Sequence, residues 1–141
     1  MIEHVAHPDD FLAKIAALVM PGGSIVMTTP NGGYFKNRLP KFSNCVDPAV
    51  FESMQFKPNA DGHIFLLHTD EIEPLARRAG LEVEKIVLFT SPLTAGHVKT
   101  EPLLKILPRP IVQVAETVSR SLPSTLKKKA LVQMAVRFRK P

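Results

Sequence analysis

Imidazole, carboxylate and amide groups carry most of the chemistry available to this sequence, and they fall in a few places. Glu3 and His4 are adjacent; His63 and His68 flank the apolar run 64–67; Asn31 follows a short apolar segment and precedes Gly32 and Gly33. An imidazole titrates near neutral pH, so His4 is the best candidate for a general base, with Glu3 beside it. The alternative for the pair is a brace that holds its loop by hydrogen bonds. Asn31 reads as a contact to a bound molecule or as an ordinary Asn-Gly turn, and the turn is the simpler reading. One of His63 and His68 can face a pocket, although a satisfied structural histidine is the commoner fate. Tyr34, Phe35, Phe42 and Phe56 can edge an apolar pocket or pack a cap. Cys45 has no second thiol with which to form a disulfide or a metal knuckle, so it is expected to be a buried or half-buried small hydrophobe.

The elements that must hold these groups follow from periodicity and punctuation. Pro8-Asp9-Asp10 opens a segment in which Phe11, Leu12, Ile15, Leu18 and Val19 recur at helical spacing, and Pro21-Gly22-Gly23 stops it. Residues 24–29 are nearly continuously apolar and predict a buried strand. From 31 to 62 the periodicity disappears among Gly, Pro and Asn, as in a cap or binding loop, with a short helix expected near 48–54. Thr69 is the expected N-cap of a second helix bearing Ile72, Leu75, Ala76 and Ala79 on one face, with Gly80 as its stop. Residues 81–89 predict a strand, 101–107 and 111–122 predict helices, and 130–138 predict a last strand.

With 141 residues, 45% of them hydrophobic, the chain is long enough for one domain with its own core. No apolar run reaches the roughly 18–20 residues of a membrane span and no basic-then-apolar leader opens the chain, so a cytoplasmic setting is expected. The charge is uneven. Residues 1–96 carry eight Lys and Arg against eleven Asp and Glu, and residues 97–141 carry ten against two. A solvated face is the plain reading of the basic part; a peripheral contact with a membrane, through Leu103, Leu104, Ile106, Leu107, Ile111, Val112 and Val114, is the sharper one. Nucleic acid is not expected as a partner, since aromatic interleaving is almost absent and no binding motif accompanies the charge.

Several short motifs recur in a fixed order: Ile2-Glu3-His4-Val5, then Pro8, then Pro21-Gly22-Gly23, then Thr28-Thr29-Pro30-Asn31. His68-Thr69 follows and leads into Leu75-Ala76-Arg77-Arg78-Ala79-Gly80-Leu81-Glu82-Val83. In order and spacing over residues 1–89 they resemble the class I S-adenosylmethionine-dependent methyltransferases, the ubiquinone-biosynthesis O-methyltransferases and the methyltransferase type 11/12 group in particular. The resemblance implies an α/β fold, the C-terminal half of a Rossmann-like methyltransferase sheet. It comprises strands four to seven, with order three-two-one-four-five-seven-six in the whole family sheet and the last strand antiparallel. Residues 31–62 become a cap insertion and 97–128 a basic helical segment within one partial domain, 1–141. The family's glycine-rich turn after strand one has no counterpart, since no Gly-x-Gly follows a strand anywhere in the sequence.

The resemblance also implies roles. Ile2, Glu3 and His4 border the methionine portion of S-adenosylmethionine; beside that implication, the residue readings above make His4 the candidate catalytic base and Asn31, Tyr34, His63 and His68 the candidate contacts to a small or lipid-like methyl acceptor. Some quinone O-methyltransferases resemble metal enzymes at this motif, but Glu3 and His4 alone do not make a hard-cation site, which wants six oxygen-rich positions, and no metal is expected. Without the donor-binding half the isolated chain is expected to be a truncated, inactive form. The open side of a sheet starting at strand four is expected to seek a second copy or another chain. A non-catalytic interaction module working through that edge is the alternative function.

Overall fold

The computed structural model describes residues 1–54, 62–95 and 100–141. Phe56, the rest of 55–61 in the expected cap, residues 97–99 of the basic segment and the side chain of Leu103 lie outside the described residues.

The first helix, α1 (Pro8–Ala17), begins where expected: Pro8 occupies the first turn, where its missing N–H costs nothing, and Asp9 and Asp10 lie at the positive end of the helix dipole. Leu12 and Ala16 are buried on its inner face. The helix gives way to Pro21-Gly22-Gly23, with Gly22 in the left-handed region at φ +77°. Lys140, distant in sequence, caps the helix by donating from Nζ to the carbonyls of Ala16 (3.0 Å) and Val19 (2.8 Å).

Strand β1 (Ser24–Pro30) follows, then the irregular stretch with short 3-10 turns at Phe42–Asn44 and Pro48–Met54. Helix α2 (Ile72–Arg78) ends in a glycine-dependent cap: Leu81 N bonds Ala76 O, Gly80 N bonds Arg77 O, and Gly80 has φ +70°. Strand β2 (Glu82–Phe89) leads to three helices, α3 (Glu101–Ile106), α4 (Arg109–Ser121) and α5 (Ser124–Ala130), and then to β3 (Gln133–Arg139).

The sheet order is β1-β3-β2, with β3 antiparallel to both neighbours. The last strand is therefore central. Its alternation buries Met134, Val136 and Phe138 on one face, opposite Thr29, Met27 and Ile25 of β1 and opposite Leu88, Ile86 and Val83 of β2. That face, α1, α2 and the run 64–67 enclose the core. Cys45 is half-buried against the core, as expected, and burial pushes its thiol up.

Four expectations are corrected. Four strands were expected and the described residues contain three, with residues 2–4 in a 3-10 turn, Ile2–His4. β1 is a half-exposed edge strand among the described residues: Ile25 and Met27 face the core, while Val26, on the other face, is 70% exposed. Thr69 does not cap α2. The Glu71 carboxylate instead accepts from the backbone of His68 (2.8 Å) and Ser43 (2.7 Å), and the helix begins at Ile72. Ala130 closes α5 and the last strand starts at Gln133, after Val132 has bonded Thr90 O through its N–H (3.0 Å) and Asn31 N through its carbonyl (2.8 Å). Among the described residues no helix is long and apolar enough to cross a membrane.

Candidate functional site

The chain folds so that Glu3, His4 and His63 meet. The 3-10 turn is held down by buried Ile2 on its own turn and by Val5 and Ala6 just beyond, and the Glu3 carbonyl accepts from Ile64 N (3.0 Å). That backbone bond draws residue 63 to the turn. Nε2 of His4 and Nε2 of His63 each lie 3.7 Å from Glu3 Oε1, and the two rings are 4.6 Å apart at 55°. Glu3 itself is 5% exposed. Its other oxygen, Oε2, accepts from the Thr29 hydroxyl (3.2 Å) and lies 2.8 Å from the Met1 ammonium.

Burial alone would raise the Glu3 carboxyl, but the Met1 ammonium, the Glu3 backbone amide and the Thr29 hydroxyl outweigh it, holding Glu3 below the usual carboxylate range. Glu3 is thus an anion at neutral pH in a largely dry setting, where a cation is strongly attracted. Glu3 and Thr29 line a cavity of about 540 Å³ together with Thr28, Pro30, Phe89 and Gln133, at the carboxyl ends of β1 and β2. Open α/β sheets bind ligands on this rim.

The ligand-capable atoms of Glu3, His4 and His63 all lie within 4.8 Å of one another. Two imidazoles and a carboxylate suit a first-row transition ion better than Mg²⁺. The sequence offered only two of the three, since sixty residues separate His63 from its partners and no spacing rule joins them.

The remaining candidates sit elsewhere. Ile2 packs into the core. Asn31 is 1% exposed; both hydrogens of its amide are used, to Lys128 O (2.8 Å) and Leu131 O (2.7 Å), while Oδ1 accepts from Gly33 N (3.0 Å). It ties the end of β1 to the junction of α5 and β3, which is the turn reading with a long-range partner added. Tyr34 is buried, its ring edge-on to Phe35 at 4.9 Å, and burial pushes its phenol up. His68 is half-buried in the wall of a second opening with Gly33, Thr125 and Lys129. Burial, then the Lys41 charge, lowers the imidazole, against the opposing pull of Glu71 and Asp70.

With this geometry in hand, the family model described as "Methyltransferase domain" matches residues 1–86. The chain belongs to this family, the class I S-adenosylmethionine-dependent methyltransferases. Among solved structures it is similar to a Bacillus halodurans C-125 protein described as a "putative methyltransferase", with 13% identity and a TM-score of 0.48. The match covers 99% of this chain and 66% of that one, so the chain spans less than two thirds of the length of that relative. No curated protein matches the chain.

Proposed function

We propose that these residues form the acceptor side and the methionine-end border of an S-adenosylmethionine-dependent methyltransferase site acting on a small or lipid-like acceptor. The observation that carries the reading is the ionised, buried Glu3 on the cavity at the end of β1, with two imidazoles on its second oxygen. The fit to the donor is partial. Glu3 Oε2 is already paired with an ammonium, that of Met1 at 2.8 Å, the same kind of group that the donor's methionine portion carries. The described residues offer no glycine-rich turn or acid at a strand end for the ribose and adenine. When bound, S-adenosylmethionine supplies an electrophilic methyl on a sulfonium.

Glu3 holds and orients a cationic methionine end, Thr29 fixes the carboxylate, and His4 Nε2 takes the acceptor's proton, with His63 beside it. Strand order β1-β3-β2 supports the equation of these strands with the family's five, seven and six. On that numbering residues 31–62 are the cap and 97–128 a basic segment leading to the central strand. The partial contact set makes donor binding by residues 1–141 weak. Calorimetry with S-adenosylmethionine is the test, and a dissociation constant in the low micromolar range, about 8 kcal/mol, would overturn it. In a form that turns over, His4→Ala should lower kcat at least tenfold with little change in the donor's KM, and an unchanged kcat would make His4 a brace.

A second reading, a non-catalytic interaction module, is favoured by one feature. The edge of β1 that no described strand covers borders an apolar groove of about 190 Å³ lined by Ile2, Phe11, Leu12, Ile15, Ile25 and Met27.

A further inference from the structure

At the opposite edge of the sheet, β2 forms the floor of a cavity of about 500 Å³. The floor is apolar: Ile86 and Val87 are 36% and 39% exposed, and Leu88 lies beside them. The rim is cationic, with Arg120 from α4 and Lys127 and Lys128 from α5, and among the described residues no carboxylate lines the cavity. The segment 109–130 contains one acid, Glu116. It is already used, since its Oε1 accepts from Ser91 N (3.0 Å) and from the Thr94 hydroxyl. Among the described residues, none of the three rim cations takes part in an ion pair.

Three like charges held over exposed aliphatic side chains repel one another and leave apolar surface wet, and both costs disappear when an anion with a hydrocarbon tail enters. The volume lies within the roughly 300–1,000 Å³ common for small-ligand sites. The geometry points to a binding site for a single-chain anionic amphiphile of the fatty-acid class, the tail on Ile86–Leu88 and the carboxylate between Arg120, Lys127 and Lys128. The site is separate from the Glu3 cavity and shares no residue with it. The inference holds whether or not the chain transfers methyl groups.

Dodecanoate, kept below its micelle concentration, is the probe, added to the full chain and followed by calorimetry and by the amide shifts of residues 86–88. Saturable binding is expected, at least ten times tighter than that of dodecanol, with inorganic phosphate giving no shift. The double variant Lys127→Glu/Lys128→Glu should weaken dodecanoate at least tenfold while leaving Tm within a few degrees, and Val87→Asp should abolish it. Equal affinity for dodecanol and dodecanoate, no response at residues 86–88, or charge reversal without effect would each overturn the proposal. So would binding to anionic phospholipid vesicles with none to monomeric dodecanoate, which would move the contact to a bilayer and to the outward stripe Ile111, Val114 and Val118 of α4.

Discussion

Asn31 is the residue whose environment is most fully specified. Replacing it by Leu keeps the bulk but leaves the carbonyls of Lys128 and Leu131 facing an apolar side chain, at a cost of about 2–4 kcal/mol for the two acceptors. Urea unfolding should show this as a lower midpoint at constant slope, with Asn31→Asp worse still because a carboxylate would face two carbonyls. His68 offers a pH signature. Its folded pKa lies below the ordinary value, so the neutral form is favoured in the fold and the stability it contributes is present above the ordinary histidine range. It is lost as pH falls through that range toward the lowered folded value. Tm should therefore drop between about pH 7 and pH 5, and His68→Asn should flatten the drop. An NMR titration that puts His68 at or above the free-histidine value would refute the assignment.

At the scale of elements, the carbonyl end of α1 depends on a side chain more than a hundred residues away. Lys140→Met removes two hydrogen bonds to that end and should cost about 1–2 kcal/mol, with faster hydrogen exchange at the last turn of α1 as the local readout. Lys140→Arg should restore part of it.

How far the elements could be read from sequence follows the same division between local and distant causes. α1, the body and stop of α2, and β2 were legible because their signals are local: Pro8 and apolar spacing for α1, apolar spacing and Gly80 for α2, and an apolar run just after Gly80 for β2. The turn at Gly80 needs only its own left-handed backbone. α5 was legible only as the end of the basic helical segment 97–128, not as a helix of its own: Thr125 to Lys129 has no apolar period, and the helix is fixed by Lys127 N bonding Pro123 O and by the Asn31 amide on Lys128 O. Ala130 looks like strand because it is apolar, but it closes α5, and the pairing with the neighbouring strands begins only at Val132. In the site, Glu3 with His4 could be read from adjacency. His63 joins them through one backbone bond, Ile64 N to Glu3 O, that no pattern announces.

For the whole molecule, the outer edge of β1 is the exposed risk. Its backbone groups face no described strand, Val26 is 70% exposed, and no charged residue occurs between Lys14 and Lys36 to discourage pairing. Sedimentation velocity over a concentration series should show self-association, and Val26→Lys should reduce it with little loss of Tm. A monomer at all concentrations with slow exchange across Ser24–Pro30 would refute this.

The central place of β3 bears on the order in which the chain can acquire its structure during synthesis. β1 and β2 are made before the strand that joins them, and among the described residues neither has a strand partner until residues 133–139 have been made. Helix α1 waits equally for Lys140. From residue 89 to residue 133 the nascent chain therefore carries both strands without the one that joins them, a window in which chaperone holding matters more than intrinsic folding speed. A pause in translation before codon 133 should prolong that window and raise the fraction captured by chaperones, whereas a pause after the final strand has emerged should leave it unchanged.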